Sequence, residues 1–266
     1  MNKPQMMKII NITNENSSVK TFFFEHDLKS QPGQFVMLWI PGVDQKPFSI
    51  VYDDGKQFGL SIFAVGPLSK KLFELNVGDR VGITGPFGKG FSVKPNTHYI
   101  MVGGGYGAGP LGLLAERLTA TDSTVDFCVG ARTKDLLLFE ERIAKLPYTT
   151  VRTATNDGSS GHTGFITDIL EECLNTPHHR PVLVVTCGPE LMEKKVLDIC
   201  NEHGVDAEIS IERYMKCGFN ICGQCCVDGT GMALCSQGPV VSSKLANQIT
   251  EFGKYHRDKS GKKINY

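Results

Sequence analysis

The sequence predicts a β plus α/β protein: an N-terminal antiparallel β-barrel, then a parallel-sheet α/β nucleotide-binding domain, then a small cysteine-rich loop module. Three observations lead to this prediction. Residues 6–95 hold short apolar stretches cut by turn residues, residues 98–214 alternate strand-like and helix-like segments, and four of the nine cysteines lie between Cys217 and Cys226. A length of 266 residues suits two domains and a small appendage.

The first 96 residues have the rhythm of an antiparallel barrel or sandwich, and of these we expect a barrel. Turn signals such as Gln31–Gly33, Asp53–Gly55 and Val77–Asp79 separate the apolar stretches. One stretch, Ser69–Leu75, breaks the rhythm and has helical composition. The predicted strands lie at residues 7–13, 19–26, 34–40, 48–54, 57–65 and 80–88.

Strands and helices then alternate, which indicates a parallel sheet covered by helices. The predicted strands are residues 98–105, 124–132, 148–155, 181–188 and 207–214, and the predicted helices are residues 110–120, 135–146, 165–174 and 189–204. We therefore divide the chain into a barrel domain (1–96), an α/β domain (97–212), a cysteine module (213–245) and a polar tail (246–266) that we expect to be solvated.

Composition and charge exclude several classes of function. Lys plus Arg and Asp plus Glu both number 28, so the chain lacks the basic excess of a nucleic-acid binder. It contains no run of about 18 apolar residues, and its N-terminal residues lack an apolar core followed by a cleavage site. We expect no nucleic-acid partner, no membrane span and a cytoplasmic location.

The cysteine module carries the most specific pattern in the chain. Cys217, Cys222 and Cys225 follow the spacing C-x4-C-x2-C, and Cys235 follows Cys225 after nine intervening residues. That opening is the spacing of plant-type [2Fe–2S] sites, in which one tight loop supplies most of the thiolates. Zinc remains an alternative because the gap before Cys235 is short, although structural zinc usually takes two C-x2-C pairs.

Two glycine-rich turns end strands of the α/β domain. The turn Gly103–Gly109 fits G-x-G-x-x-A at Gly103, Gly105 and Ala108, and a second tip lies at Cys187–Pro189. Ligands of open α/β sheets bind at this edge. Gly130-Ala131-Arg132 replaces the acidic residue that would bind a ribose, so we do not expect the ordinary dinucleotide fold. Cys187 at the second tip is equally well explained as a small buried apolar residue and as a residue that contacts the ligand.

Together these motifs resemble the ferredoxin-reductase-type flavoproteins, and among them the electron-transfer subunits of NAD-dependent dihydroorotate dehydrogenase (type B). The motifs behind the resemblance are Lys46–Ile50, Gly66–Leu72, Gly85–Gly88, Gly103–Pro110, Asn156–Ser159, Gly161–Asp168, Cys187–Met192 and the cysteine loop ending at Cys235–Val240. The family usually has Arg where this chain has Lys46. Arg can bind a phosphate with two parallel hydrogen bonds, whereas Lys offers one compact charge.

The resemblance implies three cofactor sites. FAD would bind Lys46, Pro47, Phe48, Ser49, Ser61, Ile62, Phe63, Gly66, Leu68 and Ser69. NAD would bind Gly103, Gly105, Gly107, Ala108, Cys187, Gly188 and Pro189, and a [2Fe–2S] cluster would bind Cys217, Cys222, Cys225 and Cys235. A flavin is needed because NAD takes two electrons as a hydride, whereas the cluster carries one electron at a time.

The implied function is electron transfer in de novo pyrimidine (UMP) biosynthesis. Electrons would pass from the FMN of a separate catalytic subunit through the cluster and FAD to NAD+, in a heterotetramer with two subunits of each kind. This chain shows no catalytic residue for dihydroorotate, and Cys187 is the one candidate for a residue at the nicotinamide. Two alternatives remain. The first is the flavin subunit of a ferredoxin–NAD(P) oxidoreductase or sulfhydrogenase, and if it used NADP, Arg132 would be the one obvious cation for the ribose phosphate. The second is a non-enzymatic module stabilised by zinc.

Overall fold

The computed structural model describes residues 3–266. Its strands are β1 Gln5–Asn14, β2 Val19–Glu25, β3 Phe35–Ile40, β4 Asp44–Asp53, β5 Gln57–Phe63, β6 Arg80–Phe87, β7 His98–Gly104, β8 Thr124–Ala131, β9 Thr149–Thr155, β10 His162–Thr163, β11 Val182–Cys187, β12 Ala207–Ser210, β13 Val240–Ser242, β14 Tyr255–Arg257 and β15 Lys263–Asn265. Its α-helices are α1 Pro67–Phe73, α2 Ala108–Leu118, α3 Glu140–Ile143, α4 Ile166–Leu174, α5 Glu190–His203, α6 Leu234–Gln237 and α7 Ser243–Ala246, and short 3-10 turns lie at Gly105–Gly107 and Lys134–Leu136.

Strands β1 to β6 form a closed antiparallel barrel in the order β1-β2-β5-β4-β3-β6. Alternation along each strand sends one set of side chains inward. Phe22, Phe24, Phe58 and Leu60 are fully buried in its core. The predicted barrel is confirmed.

The second half is a seven-stranded sheet in the order β10-β9-β8-β7-β11-β12-β13. All its pairs are parallel except β12 with β13. Strand β7 lies in the middle of the sheet, and its apolar run Tyr99–Val102 is buried because α2 and α4 cover the two faces. The predicted α/β fold is confirmed, and β13 is an edge strand that the sequence pattern did not reveal.

The cysteine module shares a core with both larger units. Phe35 and Met37 of the barrel, Ile209 and Ile211 from the end of the sheet, and Val227 of the module belong to one buried cluster. The loop around the cysteines therefore cannot move independently of the barrel and the sheet without exposing apolar surface.

Two features differ from the sequence predictions. The helix expected over residues 135–146 is broken, because Leu137–Phe139 turn into the core and Phe139 has a φ of 69°. The tail expected to be solvated is folded: Glu251 and Phe252 are buried, and β14 and β15 form a hairpin. Among residues 3–266, none of the helices has the length and apolar character needed to traverse a bilayer.

Candidate functional site

A cleft of about 360 Å³, here called the inner cleft, opens where the barrel, the sheet and the cysteine module meet. Most of its wall is apolar, with hydroxyl groups and a carboxylate at intervals, which is the character of a site for a flat aromatic ligand. It is lined by Phe35, Pro47, Phe48, Ser49, Val51, Ser61, Phe63, Val65, Tyr106, Gly107, Pro110, Cys187, Ser210, Ile211, Glu212, Arg213, Met215 and Pro239.

The inner cleft contains five of the residues that the resemblance predicted to bind FAD. Pro47, Phe48 and Ser49 lie on β4, and Ser61 and Phe63 face the cleft from β5. Because side chains alternate along a strand, the Ile62 side chain points into the barrel core instead. These lining residues fit an isoalloxazine ring.

Three other residues predicted to bind FAD have their side chains engaged within the protein. The Lys46 Nζ lies 2.9 Å from the Tyr214 hydroxyl and 2.9 Å from the Asp44 carboxylate. The Ser69 Oγ accepts bonds of 3.0 Å from the N–H groups of Val65 and Gly66, which closes the turn before α1. Leu68 is buried in the barrel core. Their role at the cofactor stays a prediction.

A larger cleft of about 870 Å³, here called the outer cleft, runs along the carboxyl edge of the sheet. Gly105 and Pro189 line it, and two cationic side chains without an ion pair in the described chain, Arg132 and Lys195, lie in its wall. Arg132 was noted from the sequence, whereas Lys195 was missed because nothing in helix α5 singles it out.

Several glycines predicted to face the nucleotide bring the two strand tips together. A Cβ on Gly107 would lie 2.3 Å from the Cys187 carbonyl oxygen, and one on Gly188 would lie 2.9 Å from the Gly104 nitrogen. Gly103 packs in the same way against Ala108. These positions need glycine for close backbone approach, so part of the motif is explained by packing.

Carboxyl groups that the sequence did not single out lie beside the inner cleft. Glu212 is open to the cleft, and Glu193 is buried behind it, accepting a 3.0 Å bond from the Gly188 N–H. Burial raises the pKa of Glu193 well above its ordinary value, and the charge of Glu212 raises it further. Burial also raises the pKa of the Cys187 thiol, which therefore stays protonated at neutral pH.

Backbone N–H groups point at the sulfur atoms of the cysteine module. Asn220 donates to the Cys235 Sγ at 3.1 Å, Ile221 to the Cys217 Sγ at 3.5 Å, and Cys235 to the Cys225 Sγ at 3.4 Å. Burial opposes ionisation of Cys217, but N–H groups of the loop outweigh it and lower the pKa of this thiol to about 6. Such donors stabilise thiolates and sulfide.

The four predicted cysteines come from two places in the module. Cys217, Cys222 and Cys225 lie in one loop, and Cys235 lies in α6. Within residues 3–266, no three His, Cys, Asp or Glu side chains converge as a single metal ion would require. Four thiols that begin with the C-x4-C-x2-C spacing, three of them with backbone N–H donors to their sulfur atoms, suit a [2Fe–2S] cluster. The residues thus fit a [2Fe–2S] cluster.

Comparison with known proteins identifies the family. Residues 212–245 match the family model for the iron-sulfur cluster binding domain of dihydroorotate dehydrogenase B, and residues 101–198 match the oxidoreductase NAD-binding domain. The chain is 43% identical over 266 residues to a probable dihydroorotate dehydrogenase B (NAD+) electron transfer subunit of Methanocaldococcus jannaschii, covering 100% of both. The chain belongs to the family of dihydroorotate dehydrogenase B electron transfer subunits.

Further relatives agree with membership of the dihydroorotate dehydrogenase B electron transfer subunits. A probable subunit of this kind from Methanothermobacter thermautotrophicus is 41% identical over 268 residues, covering 99% of this chain and 98% of the relative. A solved NADH-dependent reduced ferredoxin–NADP oxidoreductase has the same fold, with a TM-score of 0.81, 23% identity and 95% of each chain covered. The resemblance seen in the motifs is confirmed.

Proposed function

We propose that this chain passes electrons from the FMN of a dihydroorotate dehydrogenase catalytic subunit to NAD+, through a [2Fe–2S] cluster and FAD, in pyrimidine (UMP) biosynthesis. The observation that carries the proposal is the position of the cysteine module against the inner cleft. Met215, two residues before Cys217, lines the cleft, and the ring of Phe219 packs 6.1 Å from Phe87 of the barrel. A cluster held by this module would therefore lie near a flavin in the inner cleft, and electron transfer requires that the two cofactors are close.

In this proposal the four parts of the chain have different roles. The barrel (1–96) binds FAD at the ten residues predicted from the motifs, the α/β domain (97–212) binds NAD, and the module (213–245) holds the cluster on Cys217, Cys222, Cys225 and Cys235. The tail (246–266) packs against the module through Ile249 and Phe252, and Glu251 accepts a hydrogen bond from the Asp228 N–H. A flavin supplies the conversion between one-electron and two-electron transfer. The apolar wall of the inner cleft excludes water from the ring that it would hold.

The surface beside the cluster supports a partner subunit at this face. Phe219 and Ile221 are 52% and 77% exposed, and Cys222 next to them is exposed as well. Apolar side chains that are open to solvent around a redox centre favour a docking surface. We propose that the catalytic subunit binds here in a heterotetramer with two copies of each subunit, in the cytoplasm.

The first test is the cofactor content of the protein purified without oxygen. One FAD, two irons and two sulfides for each chain would support the proposal, and zinc without flavin would refute it. The donor is tested next by mixing the loaded protein with an FMN-containing dihydroorotate dehydrogenase subunit. NAD+ reduction that requires dihydroorotate supports the assignment, whereas reduction only by ferredoxin would favour the rival oxidoreductase.

A further inference from the structure

Two aromatic side chains separate the inner cleft from the outer cleft. Of all residues that line these clefts in the described chain, only Phe63 and Tyr106 belong to both. Their rings are stacked, with centroids 6.4 Å apart and planes inclined by 15°. The pair therefore forms a wall between the space that fits a flavin ring and the edge of the sheet where a dinucleotide would lie.

The Tyr106 side chain is held weakly. It is 46% exposed, its hydroxyl lies 3.5 Å from a Glu212 carboxylate oxygen, and its ring contact is with a Phe63 side chain that is itself 40% exposed. Its backbone lies in the short turn Gly105–Gly107, where Gly105 has a φ of 53°. A side chain with one long hydrogen bond and one stacking partner can rotate at small energetic cost.

Hydride transfer requires that this wall opens. The electron pair and proton move together between two rings only when the reacting atoms are about 3–3.5 Å apart. A nicotinamide that enters from the outer cleft meets the Tyr106 ring before it can reach a ring in the inner cleft.

We propose that Tyr106 is a gate between the flavin site and the dinucleotide site, closed by Phe63 and Glu212 and displaced when the nicotinamide enters. This inference rests on the proposed function of the two clefts. Because the nicotinamide must displace the ring, the apparent dissociation constant of NAD+ equals the intrinsic one divided by the fraction of time that the gate is open. Removing the ring should therefore strengthen binding, which is the opposite of what loss of a simple contact residue would do.

The test compares three variants with the native protein, each loaded with FAD. Tyr106→Leu removes the ring, Tyr106→Phe keeps the ring but loses the bond to Glu212, and Tyr148→Leu makes the same change at an exposed tyrosine that lines neither cleft. The dissociation constant of NAD+ is measured without turnover, from the change in flavin absorbance during titration.

The expected result is a dissociation constant about threefold to tenfold lower in Tyr106→Leu, which corresponds to the energy of one aromatic pair. Tyr106→Phe should stay within about twofold of the native value, since its lost bond is long, and Tyr148→Leu should not change it. A Tyr106→Leu value equal to or higher than the native one overturns the gate.

The same titration separates failure of the gate from failure of the proposed function. If the native protein holds no FAD, or NAD+ leaves the flavin spectrum unchanged at every concentration, the proposed function fails and the gate fails with it. If NAD+ binds the native protein and all three variants equally, the function stands and the gate alone is refuted.

Discussion

At the scale of single residues, the thiols of the cysteine module differ in their surroundings. The sulfur atoms of Cys217, Cys225 and Cys235 accept hydrogen bonds from backbone N–H groups. Cys226 lies in the same loop, but no hydrogen bond to its sulfur is found in the described part of the chain, and burial raises the pKa of its thiol. Adjacent residues of the loop are therefore not equivalent as cluster ligands.

This difference predicts the result of exchanging each thiol for a hydroxyl. Cys217→Ser or Cys225→Ser should remove at least about half of the bound iron, because a two-iron cluster needs four thiolates. Cys226→Ser, the matched control from the same loop, should keep the iron content of the native protein. Iron and sulfide assays on protein purified without oxygen make the comparison. Equal losses in all three variants would contradict the assignment.

The cations of the outer cleft predict how the protein chooses its nucleotide. Arg132 is exposed at the end of β8, and Lys195 lines the same cleft from α5. If Arg132 meets a ribose phosphate, Arg132→Ala should weaken NADP+ binding by about tenfold and NAD+ binding far less, since a hydrogen bond to a charged group is worth about 1.5–3 kcal/mol.

Dissociation constants for both nucleotides, measured by titration, give the comparison. Lys134→Ala, at an exposed lysine that lines neither cleft, is the control. Equal losses for NAD+ and NADP+ in Arg132→Ala would instead indicate contact with a phosphate that both nucleotides share.

At the scale of elements, helix α5 carries a carboxyl group that the fold keeps out of water. Glu193 is 1% exposed, so the folded protein holds its proton to a higher pH than the unfolded chain does. Unfolding then releases a proton, and stability falls as pH rises from the ordinary carboxyl pKa toward the raised one.

Glu193→Gln should remove this loss of stability at high pH, because glutamine does not ionise. Its amide oxygen can still accept the hydrogen bond from the Gly188 N–H. The gain in melting temperature over the native protein should be about 2–4 °C larger at pH 8 than at pH 5, equivalent to about 1 kcal/mol. Glu202→Gln, on an exposed position of the same helix, should show no such dependence on pH. A gain that is equal at both pH values would show that Glu193 ionises normally.

At the scale of the whole molecule, one buried ionic network joins the units. Arg213 donates to Glu190 at the start of α5 and, at 2.5 Å, to Glu251 of the tail, and these side chains are 3%, 6% and 1% exposed. The Tyr266 hydroxyl bonds to Glu190 at 2.7 Å. The network therefore connects the segment between β12 and the cysteines, the start of α5 and the tail.

Breaking this network should destabilise the protein far more than breaking an exposed pair. Arg213→Met leaves two buried carboxylates without their cation, and it should lower the free energy of unfolding by about 3–5 kcal/mol. Arg257→Met, which breaks the more exposed pair with Asp228, should lower it much less, because solvent screens that pair.

Urea unfolding of both variants, followed by circular dichroism, tests the network. Adding Glu190→Gln and Glu251→Gln to Arg213→Met should restore part of the loss, because it removes the unpaired charges. Similar effects of Arg213→Met and Arg257→Met would show that the network is not isolated from water.

The sequence by itself determined the fold class and predicted the cluster ligands. Both depend on local patterns: the period of apolar residues specifies strand or helix, and one tight loop carries Cys217, Cys222 and Cys225. The family motifs likewise predicted Ser49, Ser61 and Phe63 at the inner cleft. Local pattern failed over residues 135–146, where burial of Leu137–Phe139 overrides helical composition.

Only the tertiary structure decided which distant residues meet. Lys46 donates a hydrogen bond to Tyr214, and Arg213 donates one to Glu251, although each pair is far apart in the sequence. No spacing in the sequence encodes either contact. The same holds for Tyr106, which stands between the two clefts because the glycine turn of the sheet packs beside β5 of the barrel. Burial and charge pairing depend on all the elements that surround a side chain, and these come together only when the chain folds.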